Sequence, residues 1–395
     1  MGNIGIYGGT FNPPHIGHMQ AANYAVQALK LDKLLLIPDR IAPHKVMPEG
    51  TPNPFQRLEM VRISATNQGH PVIEVTDMEL GREGPSYTYL TIEQLKREYP
   101  NDKLFLLIGT DMFLSFHKWK EAEYIWKNAV LAVFYRGEPG ETADIQQKKT
   151  EMESLGARVE LVKNPIVDIS STQLRRMLVF RCADPFLPAG VSEYIHAHGL
   201  YGTGENYQNL SEDRLQTVVT GLLKPNRVAH VMGCRDTAVA LAKHWGADET
   251  DAARAGLLHD VTKALDGPLQ LTLCGEYGIV LDTFSSNNPK TLHALTGALV
   301  AQRIFGENPA VVSAIRSHTT GKANMNLLEK IIYVADYMEP NRDFPGVEKM
   351  RQLAFSDIDA ALKMGLEMTL DVLKKQGSEI SPESLEALAF LNQSL

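Results

Sequence analysis

The sequence predicts two domains in series, an α/β domain built on a parallel sheet and then an all-α domain. Three observations lead there. Over the first 200 residues short apolar runs alternate with amphipathic stretches. A segment rich in glycine and proline, Gly8 to His18, joins the first apolar run to the first helical stretch. Strand signal then all but vanishes after the glycine-rich break His198-Gly199-Leu200-Tyr201-Gly202-Thr203-Gly204. Apolar strands that alternate with amphipathic helices imply a parallel sheet covered on both faces. A chain of 395 residues exceeds what one ordinary core organises. The boundary is expected around residues 200–208, which gives domains of 1–203 and 208–395.

In order, strands are expected at Asn3–Tyr7, Lys33–Pro38, Val72–Val75, Leu104–Ile108, Ala129–Tyr135 and Arg158–Val162. Between them, helices are expected at Ile16–Lys30, Pro54–Thr66, Thr88–Glu98, Ala143–Leu155 and Ser171–Phe180. Beyond the break, helical periodicity marks Leu210–Leu223, Arg227–Trp245, Asp248–His259, Leu292–Phe305, Pro309–His318, Leu327–Met338, Asp357–Lys375 and Pro382–Leu391.

Composition narrows the function classes. Hydrophobic content of 44% and charged content of 22% are those of a soluble globular protein. A formal charge of −8 argues against a nucleic-acid surface and leaves room for a local basic pocket. Cys182, Cys234 and Cys274 are too far apart for a disulfide framework or a CxxC pair, so a reducing, cytoplasmic compartment is expected. The chain opens on a strand with no signal peptide, and no apolar run approaches the ~20 residues of a membrane span. The sequence carries no signature of oligomeric state.

The segment Gly8-Gly9-Thr10-Phe11-Asn12-Pro13-Pro14-His15-Ile16-Gly17-His18 lies between strand and helix, where dinucleotide-binding sheets place a phosphate. Glycines permit close approach of the backbone, and the prolines fit a rigid helix entry. His15 and His18, three apart at an electropositive helix start, would face one spot. A second element, Ile169-Ser170-Ser171-Thr172-Gln173-Leu174-Arg175, also opens a helix with hydroxyls and a guanidinium suited to phosphate. Asp111 ends Leu107-Ile108-Gly109-Thr110-Asp111, at the carboxyl edge of the sheet.

These two elements resemble the signatures of the HxGH nucleotidyltransferases, which implies a Rossmann-like sheet. The set completed by Pro43-His44-Lys45, Pro85-Ser86-Tyr87-Thr88, Asp111 and Trp119 resembles bacterial nicotinate mononucleotide adenylyltransferases over about residues 1–200. The resemblance implies adenylyl transfer from ATP, with Mg²⁺, to nicotinate mononucleotide. It implies that Gly8, Gly9, Thr10, Phe11, Ser171 and Thr172 bind the nucleotide phosphates and that Asp111 contacts adenosine. Thr88 and Trp119 would hold the nicotinate ring and carboxylate. His15, His18, Lys45 and Arg175 would stabilise charge on the phosphates. Asn12 stands where Asp is common in the superfamily. The alternative is another HxGH adenylyl- or cytidylyltransferase.

In the second half His230, the pair His259-Asp260, and Asp336 fall on or at the ends of expected helices. Two nitrogen and two oxygen ligands suit a metal of the Fe or Mn type rather than a structural zinc. Lys263, three after Asp260, is expected on the same helical face, within reach of a substrate phosphate. Arg342 follows Asp336 in a Pro/Asp loop.

The pattern H…HD…D resembles the HD-domain phosphohydrolases, and some HD families use residues placed like His293 and His318 for a second metal or for phosphate. Leu258-His259-Asp260-Val261-Thr262-Lys263 and Val334-Ala335-Asp336-Tyr337-Met338-Glu339-Pro340 resemble the YqeK family over about residues 208–395. That implies metal-assisted, symmetrical hydrolysis of a dinucleoside polyphosphate, diadenosine tetraphosphate, to two ADP. The alternatives are a nucleotide-sensing regulatory module, or hydrolysis of deoxynucleotides, guanosine polyphosphates or cyclic dinucleotides.

Overall fold

The computed structural model describes residues 2–43, 45–135, 139–163 and 169–394. His44, which the sequence groups with Lys45, lies outside them. The chain divides into two compact units, Met1–Glu205 and Asn206–Leu395.

The first unit carries β1 (Asn3–Gly9), α1 (Ile16–Ala28), β2 (Lys33–Pro38), α2 (Pro54–Gln68), β3 (Ile73–Val75), α3 (Thr88–Glu98) and β4 (Lys103–Gly109). It continues with α4 (Thr110–Leu114), α5 (Ala122–Asn128), β5 (Val130–Tyr135), α6 (Pro139–Ser154), β6 (Val159–Lys163), α7 (Ser171–Val179) and α8 (Val191–Ala197). All strand pairings are parallel, in the order β3-β2-β1-β4-β5-β6. The order reverses between β1 and β4, where a crevice opens at the carboxyl ends.

Successive residues of each strand feed opposite cores. Ile4, Ile6, Leu35, Ile37, Leu104, Leu106, Leu131 and Val133 pack on one face of the sheet. Leu34, Leu36, Phe105, Leu107, Val130, Ala132 and Phe134 pack on the other. Burial on both faces is why these strands read as unbroken apolar runs.

The second unit contains α9 (Glu212–Leu222), α10 (Pro225–Trp245), α11 (Glu249–Leu258), α12 (Gly267–Glu276), α13 (Thr283–Asn287), α14 (Leu292–Arg303) and α15 (Pro309–Ser317). It ends with α16 (Leu327–Met338), α17 (Val347–Ala354), α18 (Ile358–Gln376) and α19 (Pro382–Ser394). It has no strand among the described residues, and no described helix is long and apolar enough to cross a membrane.

Several expectations are corrected. The short α4, α5, α8, α13 and α17, and α12 behind its Asp266 cap, are too brief or too evenly apolar to declare a helical period. Gly8 and Gly9 do not make the turn after β1: they pair with Ile37 and Pro38 of β2 and finish the strand. The turn is made by Phe11, at φ 45. The prolines precede the cap His15 rather than opening α1. Lys263 lies on no α-helical face, because α11 stops at Leu258 and residues 259–264 run on as turns, with Lys263 N–H donating to Asp260 O.

Candidate active sites

At the crevice of the first unit lies a cavity of about 500 Å³. Gly8, Gly9, Thr10 and Phe11 line it from the end of β1 and the residues after it, with His18 from α1, Lys45 from the loop between β2 and α2, and Ser171 from the start of α7. Thr88 and Trp119 line it as well. His15 instead borders a neighbouring cavity of about 190 Å³, which His18 also faces. Asp111, exposed in the first turn of α4, lines neither cavity, nor do Thr172 and Arg175. Arg175 turns back on the loop, Nη1 donating to Asn12 O at 2.8 Å and Nη2 to Thr172 Oγ1 at 3.1 Å.

The two imidazoles lie face to face, centroids 3.6 Å apart. Burial pushes the pKa of His15 down to about 4. Burial, then the charges of His15 and Lys45, push His18 well down too. Both rings are therefore neutral near pH 7. His18 Nδ1 accepts the His15 backbone N–H at 3.1 Å, so its proton resides on Nε2, a donor. Phe11 packs edge-on to His18 and Tyr7, at 5.1 Å and 5.7 Å, which holds its left-handed backbone in place.

Sequence reasoning missed Arg57, whose side chain is 3% exposed. From α2 it donates to Thr10 O at 2.6 Å, Asp39 Oδ1 at 3.0 Å and Asp39 O at 2.7 Å. Thr10 Oγ1 donates in turn to Asp39 Oδ2 at 3.0 Å. This ties the loop after β1 to the end of β2. A lone arginine in an amphipathic helix gives no signal of such burial.

In the second unit four histidines converge on Asp260, which is fully buried. His230 comes from α10, His259 from the end of α11, His293 from the first turn of α14 and His318 from the end of α15. Their Nε2 atoms face the carboxylate. Those of His259 and His230 lie 3.5 Å and 3.7 Å from Oδ2, and those of His293 and His318 lie 3.5 Å and 3.8 Å from Oδ1. Asp336 Oδ1 is 3.1 Å from His230 Nε2 and 3.9 Å from His259 Nε2. Two groups thus have the reach to hold a cation, His230–His259–Asp260 and Asp260–His293–His318, with Asp260 shared.

The donor set fits a divalent metal. Burial drives His259 down to about 4 and His293 to about 3, so both are neutral ligands. Burial alone would raise the Asp260 pKa, but His259, His318, His293 and Lys263 hold it well below the usual carboxylate range. Its Oδ1 is buried with no hydrogen-bond partner, an anionic atom in want of a cation. Cys234, one turn beyond His230, belongs to neither group, and burial and the surrounding carboxylates push its thiol pKa up. Three cations rim the cluster. Lys263 Nζ is 2.8 Å from His293 Nε2, Arg227 Nε donates to Asp260 Oδ2 at 2.6 Å, and Arg342 Nη2 donates to Asp336 Oδ1 at 2.6 Å. The sequence did not mark Arg227, or the buried Glu339 beside His230.

Comparison with known proteins agrees with this architecture. Residues 6–177 match the cytidylyltransferase-like family model and residues 227–341 the HD domain model. A probable nicotinate-nucleotide adenylyltransferase/Ap4A hydrolase of Mycoplasma pneumoniae is 31% identical over 339 residues, 85% of this chain and 88% of that one. A probable nicotinate-nucleotide adenylyltransferase of Geobacillus kaustophilus is 35% identical over 54% of this chain and 94% of its own length. The symmetrical bis(5'-nucleosyl)-tetraphosphatase of Halalkalibacterium halodurans is 42% identical over 42% of this chain and 90% of its own. With two separately folded sites and a relative that matches along both halves, the chain belongs to the family of nicotinate-nucleotide adenylyltransferase/Ap4A hydrolase fusions, a cytidylyltransferase-like domain followed by an HD domain.

Proposed function

We propose that residues 1–203 transfer adenylyl from ATP to nicotinate mononucleotide, and that residues 208–395 hydrolyse diadenosine tetraphosphate symmetrically. In the first reaction a phosphate oxygen of nicotinate mononucleotide attacks the α-phosphorus in line. The α–β bridging bond breaks, and pyrophosphate leaves with the electron pair. A phosphate dianion needs no general base near neutral pH, so the protein's work is positioning and charge stabilisation. The observation that carries this reading is the crevice cavity. Gly8–Phe11, His18, Lys45 and Ser171 form its phosphate end, and Thr88 and Trp119 supply a hydroxyl and a flat ring for nicotinate.

His18 Nε2–H donates to the α- or β-phosphate, with His15 behind it. Lys45 holds the departing pyrophosphate, Arg175 and Thr172 act from outside the cavity by fixing the Asn12 loop to the α7 terminus, and Asp111, exposed at the carboxyl edge of the sheet, is open to the ribose or adenine beyond the cavity. Mg²⁺ on the triphosphate supplies charge neutralisation.

The convergence of four Nε2 atoms on the orphaned Asp260 Oδ1 carries the second reading. A nitrogen-rich N/O set without thiolate suits Fe or Mn, and the shared Asp260 favours a pair of ions. His230, His259, Asp260 and Asp336, with His293 and His318, would hold them, and a bound metal would supply Lewis acidity. Lys263, Arg227 and Arg342 hold the outer phosphates. A water oxygen bonds to a central phosphorus, the middle bridging P–O bond breaks with its electron pair on the departing ADP oxygen, water's protons pass to solvent, and two ADP leave.

Two variants of the full chain test both readings. His18→Ala lowers pyrophosphate release ~100-fold or more, the range of a lost preorganised donor, and leaves hydrolysis intact. Asp260→Ala abolishes hydrolysis and leaves adenylyl transfer intact. Near-wild-type turnover in folded His18→Ala defeats the first reading, and ATP plus AMP as products defeats the symmetrical second one.

A further inference from the structure

Three of the four histidines around Asp260 are oriented by the main chain. His259, His293 and His318 each place Nδ1 on the carbonyl three residues earlier: Gly256 O at 2.7 Å, Lys290 O at 2.9 Å and Ile315 O at 2.7 Å. Gly256 and Ile315 lie in the last turns of α11 and α15, where the backbone ladder leaves acceptors over, and Lys290 lies in the turn just ahead of α14. His230 is different. It is the sixth residue of α10, where the preceding carbonyls serve the helix itself. Its Nδ1 meets a side chain instead, Oε1 of Glu339, at 3.0 Å.

Glu339 directly follows α16 and is 1% exposed. Its Oε2 accepts from the backbone N and Nδ2 of Asn341, both at 2.8 Å. The carboxylate fills a notch in α10 made by Gly233, one turn beyond His230. A Cβ at Gly233 would collide with Glu339 Oε2 and come 3.1 Å from Asn341 Nδ2. On its other side His230 Nε2 lies 3.1 Å from Asp336 Oδ1, so a carboxylate faces each ring nitrogen. With the proton on Nδ1, Nε2 keeps its lone pair for a metal. With the proton on Nε2, the ring is hydrogen-bonded to Asp336 and cannot ligate.

We infer that Glu339 is the positioning residue that holds His230 in its metal-ligating tautomer, and that Gly233 is glycine to leave it room. This rests on the reading of the cluster as a metal site. Glu339→Gln is a sharp probe. If its amide oxygen faces His230, its NH₂ confronts two Asn341 donors. If it turns to satisfy Asn341, its NH₂ donates to Nδ1 and drives the proton to Nε2. Gly233→Ala leaves every polar group in place, and alanine favours a helix over glycine, yet it displaces Glu339.

The experiment is Mn²⁺ titration of the chelator-stripped full chain, following free Mn²⁺ by its paramagnetic resonance, with the thermal transition of the second unit, which holds both variants, as the folding control. Glu339→Gln binds Mn²⁺ 10–100-fold more weakly than wild type, the usual cost of a lost outer-sphere partner. Gly233→Ala weakens in the same direction without loss of helical content. Wild-type affinity in both variants overturns the inference and leaves the metal reading standing. Absence of Mn²⁺ and Fe²⁺ binding in the wild type overturns both.

Discussion

Asn12 is 3% exposed, and its side chain joins two distant segments. Its Oδ1 accepts from Tyr201 Oη at 2.8 Å, and its Nδ2 donates to Thr51 Oγ1 at 3.2 Å. Thr51 already donates to Pro48 O at 2.6 Å, so it must accept from residue 12. An Asp there would place an acceptor against an acceptor, which accounts for Asn in this chain. Tyr201 reaches Asn12 from a strained backbone at φ 56. Tyr201→Phe leaves a buried carbonyl unsatisfied and costs about 1–3 kcal/mol in the first unit, measurable by denaturant titration. His15 sets a pH dependence at the same loop. The unfolded ring takes its proton near pH 6.5 and the folded one only near 4, so the unfolded chain binds more protons between those values. Stability falls as pH drops through that window, by on the order of 3 kcal/mol from this residue. Comparing wild type with His15→Asn from pH 7 to 4 isolates the effect: the stability difference shifts in favour of the Asn variant, and a constant difference refutes the depressed pKa.

Helix ends, rather than helix faces, deliver most of the chemistry at the next scale. His259 caps α11 and His318 caps α15, so a single turn of fraying would misplace either. The pair α10 and α11 depends on Gly256. A Cβ there would lie 2.7 Å from Arg235 Cα, backbone against side chain with no slack. This close approach brings His230 Nε2 to 3.3 Å from His259 Nε2. Gly256→Val forces the helices apart and destabilises the second unit by about 1–3 kcal/mol, as overpacking does. A thermal melt of that unit reads it, and an unchanged midpoint means the helices tolerate separation. In the first unit the corresponding device is the capping box of α7. Ser170 and Gln173 satisfy each other at 3.2 Å and 3.0 Å, and Ser171, at the cavity wall, donates to Pro13 O at 3.1 Å and ties the α7 terminus to the loop after β1.

At the scale of the molecule, each unit has its own buried core, so thermal unfolding is expected in two transitions. A metal held only by the second unit raises one of them, by about 2.7 kcal/mol at 100-fold excess over Kd, and leaves the other unmoved. Calorimetry with and without Mn²⁺ checks this, and a joint shift would mean the units unfold as one. By itself the sequence determined the six strands, the change to an all-α second half and the motif residues from Gly8 to His18, Ser171 and His230 to Asp336. Those signals are local: period, turn chemistry and short spacing suffice to express them. Only the tertiary structure decided that Phe11 rather than a glycine makes the first turn, and that Arg57 and Tyr201 brace it. It alone brought His293 and His318 to Asp260 and set Glu339 behind His230. A buried polar partnership is specified by both ends of a contact far apart in the chain, and neither end by itself differs from an ordinary surface residue.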